Sequence, residues 1–130
     1  MNYNLDYFAA KSWSFVLIKN DEIIFKSKLR GLKPLAYCAK KYKREMRGAI
    51  VFDKVVGRAA AILLAYAKVK EVWTPTISRS GKAYLAKNKV KIAYENLTDC
   101  IMNRQGNDAC PTEKMSANMP EEEFIIKALG

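Results

Sequence analysis

The stretch Ala49-Ile50-Val51-Phe52-Asp53-Lys54-Val55-Val56-Gly57-Arg58-Ala59-Ala60-Ala61, continuing to Ala67, decides the fold class. Four apolar residues, 49–52, read as a buried strand. Asp53 stands where a helix N-cap belongs, and an alanine-rich helix is predicted over 54–67 with no loop between. A strand that turns directly into a helix is half of a βαβ unit. In open α/β sheets, ligands gather at the carboxyl ends of the strands, where such helices begin. Residues 53–58 are therefore the first place to look for a site.

Working outward toward the N-terminus, Trp13–Ile18 reads as a strand, Lys19–Glu22 as a turn and Ile23–Lys26 as the return strand of a hairpin. Leu29–Leu32 is a loop. Lys33-Pro34 opens a helix that ends near Gly48, with Leu35, Cys38, Ala39 and Tyr42 on its apolar face and lysines opposite. In the other direction, Val69–Trp73 is predicted as a strand broken by Thr74-Pro75-Thr76. Ser78 caps a helix from Arg79 to about Asn88, and 89–94 is the last strand. The order β-β-α-β-α-β-α-β has crossovers long enough to be right-handed and to pair parallel strands. It predicts an α/β fold of three layers, α-β-α, with a mixed five-stranded sheet and helices on both faces.

Beyond Tyr94 the pattern weakens. Leu97–Met102 is expected as a short helix and Asn103–Ala109 as a polar loop. Cys110-Pro111-Thr112-Glu113 looks like a helix start, with Pro111 at the first helical position, Glu113 at the third and Cys110 where Ser or Thr would normally cap. Pro120-Glu121-Glu122-Glu123 opens a final helix, its carboxylates at the positive end of the dipole. One domain over 1–130 is expected, with a core at about 12–94 and a C-terminal helical extension at about 95–130.

Half of the 130 residues are hydrophobic, which excludes a disordered chain. The longest purely apolar run, Ala59–Ala67, falls far short of the ~20 residues of a membrane span, so no membrane association is expected. The first residues lack the basic-then-apolar pattern of a secretory signal. Three loosely spaced cysteines, Cys38, Cys100 and Cys110, point to free thiols in a reducing compartment and hence to a cytoplasmic protein. The chain has no histidine, which removes histidine metal sites, Ser-His-Asp triads and Cys-His dyads. No cofactor and no zinc are called for. The net charge of +10 is concentrated in Lys33–Arg47 and Arg79–Lys91. Such a balance suits an anionic ligand or nucleic acid, and its plain alternative is a well-solvated surface.

The candidate residues follow from these placements. Asp53 by itself reads as a helix cap. Lys54, in a first helical turn, would oppose the helix dipole unless it faced an anion held by the helix N-terminus. Gly57 is either a close-packing residue or room for a ligand, and Arg58 shares a face with Lys54. Thr76 and Ser78 supply hydroxyls at the neighbouring strand-to-helix junction. Asn103 and Arg104 suit a phosphate or carboxylate, or simply brace their loop. Cys110, at a helix start near Arg104 and Lys114, is a candidate nucleophile, a buried inert cysteine being the alternative.

Two segments are specific enough to carry a resemblance: Gly48-Ala49-x-Val51-x-Asp53-Lys54-Val55-Val56-Gly57-Arg58-Ala59-Ala60-Ala61 and Asn103-Arg104-x-Gly106-x-x-x-Cys110-Pro111-x-Glu113-Lys114. Weaker support comes from Gly31-x-Lys33-Pro34-Leu35, Val69-x-Glu71-Val72 and Tyr94-x-x-Leu97. Together they resemble a family of short microbial proteins catalogued as domain of unknown function 1893, over nearly the whole chain from Trp13. The resemblance implies a cytidine-deaminase-like fold, which agrees with the order read above. Zinc deaminases place His-x-Glu or Cys-x-Glu at the start of one helix and Pro-Cys-x-x-Cys at the start of the next. Here those places read Asp53-Lys54-Val55-Val56-Gly57 and Thr74-Pro75-Thr76-Ile77-Ser78-Arg79-Ser80-Gly81, with neither Cys nor His. The resemblance therefore carries the fold and not zinc-dependent deamination.

The expected function is a metal-independent binder of, or enzyme on, an anionic nucleotide-like small molecule. Asp53 and Cys110 are the candidate catalytic groups, and Lys54, Gly57, Arg58, Thr76, Ser78, Asn103 and Arg104 the candidate ligand contacts. The expected partner is an anionic small molecule or nucleotide. The alternatives are a nucleic-acid-binding module using the basic helices, and a structural domain that binds another protein. The oligomeric state stays open, a homodimer included. The junction at Asp53-Lys54 and the loop 103–113 are expected to form one site, with Cys110 or Arg104 within reach of residues 53–58.

Overall fold

The computed structural model describes residues 4–103 and 105–130. A short helix, α1 (Leu5–Ala9), precedes a hairpin of β1 (Phe15–Lys19) and β2 (Glu22–Ser27). Asn20 and Asp21 both take positive φ, 52° and 64°, which matches the twist of a two-residue hairpin turn. Next come α2 (Lys33–Lys41), α3 (Lys43–Met46), β3 (Ile50–Asp53), β4 (Val55–Val56), α4 (Arg58–Tyr66), β5 (Glu71–Ser78), α5 (Arg79–Lys87) and β6 (Lys91–Thr98). The chain ends with α6 (Pro111–Ala117) and α7 (Glu121–Leu129).

The strands form one mixed sheet. β1 is antiparallel to β2 and to β3, while β3, β4 and β6 pair parallel with β5. β3 and β4 are two halves of one line. Phe52 faces Trp73 and Val55 faces Thr76 in the same register, so the sheet is in effect five strands wide. The mixed α/β architecture therefore stands as expected, and its two helical layers are unequal. On one face α2, α4, α5 and α7 enclose the main core, which includes Leu35, Val51, Val56, Leu63, Val72, Ile77, Leu85 and Phe124. On the other face α1 contributes Phe8, which lies 5.5 Å from Phe52 and 6.1 Å from Trp73, ring centre to ring centre. α4 is apolar on every side, with all of Ala59–Leu64 buried, as befits a helix flanked by two others over a sheet.

Four boundaries differ from the sequence reading. The strand at 49–52 does not turn into a helix at Asp53. Asp53 ends β3, Lys54 is an exposed break, and Val55-Val56 resumes the strand before α4 begins at Arg58. Two β-branched residues prefer the pleated strand to a first helical turn, and this outweighs the capping tendency of Asp53. Asp53 is therefore no helix cap, and Lys54 is in no helical turn. The helix expected over 33–48 is divided at Tyr42, whose φ of −110° and ψ of 38° leave the helical region. Leu97 and Thr98 belong to β6, so the short helix expected at 97–102 is absent.

The fourth difference is Pro75. Proline has no N–H to donate and is usually excluded from a central strand. Here β5 runs through it. Thr74 Oγ1 donates to the Thr76 carbonyl at 2.9 Å and accepts from the Thr76 N–H at 3.3 Å, while Asn96 Nδ2 donates to the Pro75 carbonyl at 3.2 Å. Side chains thus satisfy groups that the ladder leaves behind. The break reaches all three parallel strands. Val51 and Val56, Val72 and Ile77, and Ile92 and Leu97 all pack on the helical face. Each pair has an odd spacing, so every parallel strand changes which alternate residues face the helices at the same level of the sheet.

Candidate functional site

The carboxyl ends of β4 and β5 feed α4 and α5, which lie side by side. Buried glycines let their starts touch: a Cβ on Gly81 would sit 3.0 Å from the Gly57 carbonyl carbon and oxygen. Each helix begins with backbone N–H groups that have no partner within the helix. At α5, Ser78 fills that need as predicted, its Oγ accepting from the Gly81 N–H at 3.0 Å, with Ser80 Oγ 3.3 Å away. At α4 the cap residue is Gly57, which has no side chain to offer. A carboxylate from elsewhere takes its place. Glu113, on α6, accepts from the Arg58 N–H through Oε1 and from the Ala59 N–H through Oε2, each at 2.8 Å. Gly57 makes this approach possible, because a Cβ there would fall 2.1 Å from Glu113 Oε1.

Glu113 is free for this role because of its own helix start. A glutamate at the third helical position ordinarily turns back to the cap residue's N–H. The Cys110 N–H already donates to the Ile101 carbonyl at 3.0 Å, and Cys110 makes no side-chain cap. The glutamate therefore reaches across to the next helix. Sequence reasoning placed Glu113 in a cap and missed this contact. The available signal was a capping pattern led by cysteine, matched to a glycine that opens an apolar helix.

The remaining candidates are distributed as follows. The Asp53 carboxyl is held well above the usual carboxylate range by burial, with hydrogen bonds from the Val55 and Lys54 backbone pulling partly the other way. Lys54 is exposed, and its N–H donates to the Ser14 carbonyl at 2.9 Å. The Arg58 guanidinium lies over the Tyr84 ring at 5.6 Å, and the Tyr84 hydroxyl donates to Glu121 Oε2 at 2.9 Å. Burial and this carboxylate raise the Tyr84 pKa to about 12. Thr76 is engaged with Thr74 beside Pro75. Asn103 Nδ2 donates to Asn107 Oδ1 at 2.9 Å, and its Oδ1 accepts from the Asn107 N–H at 3.2 Å, so this side chain braces the loop. Arg104 lies outside the described residues. Cys110 Sγ is 3.2 Å from Thr112 Oγ1. The extension thus meets the start of α4 through Glu113, with Cys110 one helical turn earlier.

The places where deaminases of this fold hold zinc do not fit a metal here. The start of α4 presents Gly57 and backbone N–H groups around a carboxylate, and the start of α5 presents Ser78 and Ser80. Among the described residues no three His, Cys, Asp or Glu side chains cluster to hold a metal ion. No helix among them is long and apolar enough to cross a membrane.

These features define a class, an α/β domain of cytidine-deaminase-like fold. Forms 1 and 2 of Acinetobacter baumannii RibD share it, with TM-scores of 0.52 and 0.50 at 13% and 15% identity, each match covering 88% of this chain and 32% of RibD. Within that class the chain belongs to the DUF1893 family: the family described as TM1506, Domain of unknown function (DUF1893), matches residues 4–130. The crystal structure of a DUF1893 family protein (TM1506) from Thermotoga maritima is similar at a TM-score of 0.85 and 29% identity, over 96% of this chain and 84% of that one. No match was found among curated proteins.

Proposed function

We propose that this protein is a metal-independent binder of, or enzyme on, an anionic nucleotide-like small molecule, acting at the carboxyl edge of the parallel strands. One observation carries the reading: the start of α4 already grips an anion. Glu113 is held there by two N–H groups at 2.8 Å over a glycine that clears the approach. A helix N-terminus favours a phosphate or carboxylate of a ligand for the same reason. On this reading Glu113 is the resident occupant and the ligand's acidic group displaces it, α6 moving on the exposed loop before it. Lys54 would add positive charge beside the ligand. An enzymatic form would draw on Asp53, whose raised pKa suits an acid, and on Cys110. The three free cysteines support a reducing, cytoplasmic setting.

The test is calorimetric titration of wild type and Glu113→Ala with inorganic phosphate and with nucleoside monophosphates. Binding is expected in wild type and at least about tenfold tighter in Glu113→Ala, where the competitor is gone. No binding by either protein, with Glu113→Ala shown to be folded, overturns the proposal.

A further inference from the structure

The opposite edge of the sheet carries a different surface. From Ile23 to Arg44 the chain contains eight lysines and arginines and no acidic residue. All eight are exposed. The ion pairs found among the described residues, Arg79–Asp99 and Lys114–Asp108, lie elsewhere. Among the described residues, therefore, no carboxylate forms an ion pair with the positive charge of this segment.

Aromatic rings are interleaved with that charge. Lys41 lies 5.5 Å from the centre of the Tyr37 ring, while Lys26 and Lys28 lie 4.7 and 5.0 Å from that of Trp13, which packs on the α1 face of the sheet. Between β2 and α2 runs an open groove lined by Phe25, Ser27, Leu29, Lys33, Pro34 and Tyr37. Tyr37 is 46% exposed and Leu29 63%, and the Tyr37 and Phe25 rings are 5.4 Å apart. An apolar floor with a half-exposed ring, bordered by unpaired cations, has the make-up of a stacking platform within an electrostatic funnel. The second basic segment is the more internally paired. There Arg79 is paired with Asp99, and Lys82 is turned to the Tyr94 hydroxyl.

We propose that the groove between β2 and α2 binds single-stranded nucleic acid, a base stacking on Tyr37 while Lys33, Lys41 and their neighbours meet the phosphates. A duplex keeps its base faces covered and offers this ring nothing to stack on, so the surface selects the single strand. The proposal is independent of the site at the start of α4, with which this groove shares no lining residue.

Fluorescence anisotropy with a labelled twelve-nucleotide mixed-sequence single strand tests it on the full chain. Binding is expected at about 20 mM salt and weakens as salt rises, with a log–log slope of about −0.7 per phosphate neutralised. The same sequence as a duplex should bind about tenfold more weakly. Lys33→Glu with Lys41→Glu should flatten the slope and lower affinity at least about tenfold. Tyr37→Ala should lower affinity about tenfold and leave the slope unchanged, since it removes a ring and no charge. Lys87→Glu with Lys89→Glu, at the end of α5 and just beyond it, should bind as wild type. Circular dichroism checks that each variant is folded. Absence of binding at low salt, equal affinity for the duplex, an unaffected Tyr37→Ala, or binding confined to anionic lipid vesicles would each overturn the proposal.

Discussion

Removing the Glu113 carboxylate should cost this protein a large share of its stability, and the cost should depend on Gly57. In wild type two charge-assisted hydrogen bonds of 2.8 Å join Glu113 to the Arg58 and Ala59 N–H groups. Glu113→Ala leaves both donors without that partner. A buried donor left unsatisfied costs about 1–3 kcal/mol. Ala59 is 1% exposed, whereas Arg58 is half-buried and water can reach its N–H. The lost negative charge at a partly buried helix start adds up to about 2 kcal/mol. These contributions overlap, so the expected destabilisation is about 2–4 kcal/mol, or roughly 10 °C in Tm for a domain of this size. Gly57→Ala should cost about as much, because its new Cβ falls 2.1 Å from Glu113 Oε1 and must expel the carboxylate. The double variant should then cost little more than either single one, a coupling of about 2 kcal/mol or more. Urea denaturation of the four proteins, followed by circular dichroism, supplies the cycle. A Glu113→Ala cost within about 0.5 kcal/mol of zero, or additive costs, would refute the account of Gly57 as a seat for this carboxylate.

Three other outcomes are expected. Burial holds the Asp53 pKa above its unfolded value, so the folded protein keeps a proton that the unfolded chain gives up, and stability falls as pH rises above the ordinary carboxylate range. Asp53→Asn should therefore be more stable than wild type at neutral pH and lose that advantage toward pH 4, as denaturation midpoints at several pH values will read. Burial also raises the Cys38 thiol to about 12, so a thiol reagent should label exposed Cys100 promptly and Cys38 only on unfolding, as peptide mapping would register. Ser78→Ala should cost about 1 kcal/mol by thermal denaturation, since it removes the α5 cap.

Much of the fold was readable because each element obeys one dominant rule. The hairpin was marked by two apolar runs around a polar turn at Asn20-Asp21, the α5 cap by Ser78, and α2 by its buried Leu35, Cys38 and Ala39. Reading failed where two local rules compete. Asp53 offered a cap and Val55-Val56 offered a strand, and pairing with Thr76 and Ile77 decided the matter. Pro75 signalled a break, but Thr74 and Asn96 side chains let β5 continue. At the candidate site the neighbourhood of residues 53–58 was legible, but the helix was read as starting at 54, which put Gly57 inside it and not at its cap. The occupant of the site was not legible, because Glu113 lies 55 residues away from Arg58 in the chain and ordinarily would cap its own helix.

The shared change of face in the three parallel strands constrains how the length of this chain can vary. Phe52 and Trp73 face α1, yet Val56 and Ile77 face the helical layer, and Leu97 does the same on β6. A one-residue deletion near Lys54 alone would send Val56 toward the wrong layer while its neighbours stayed in place. The same holds near Pro75 or Glu95. Only matched deletions at all three levels would restore a regular pleat. Insertions and deletions should therefore be rejected singly in the middle of this sheet and accepted in the loops at its ends, so that the irregularity is inherited as a unit.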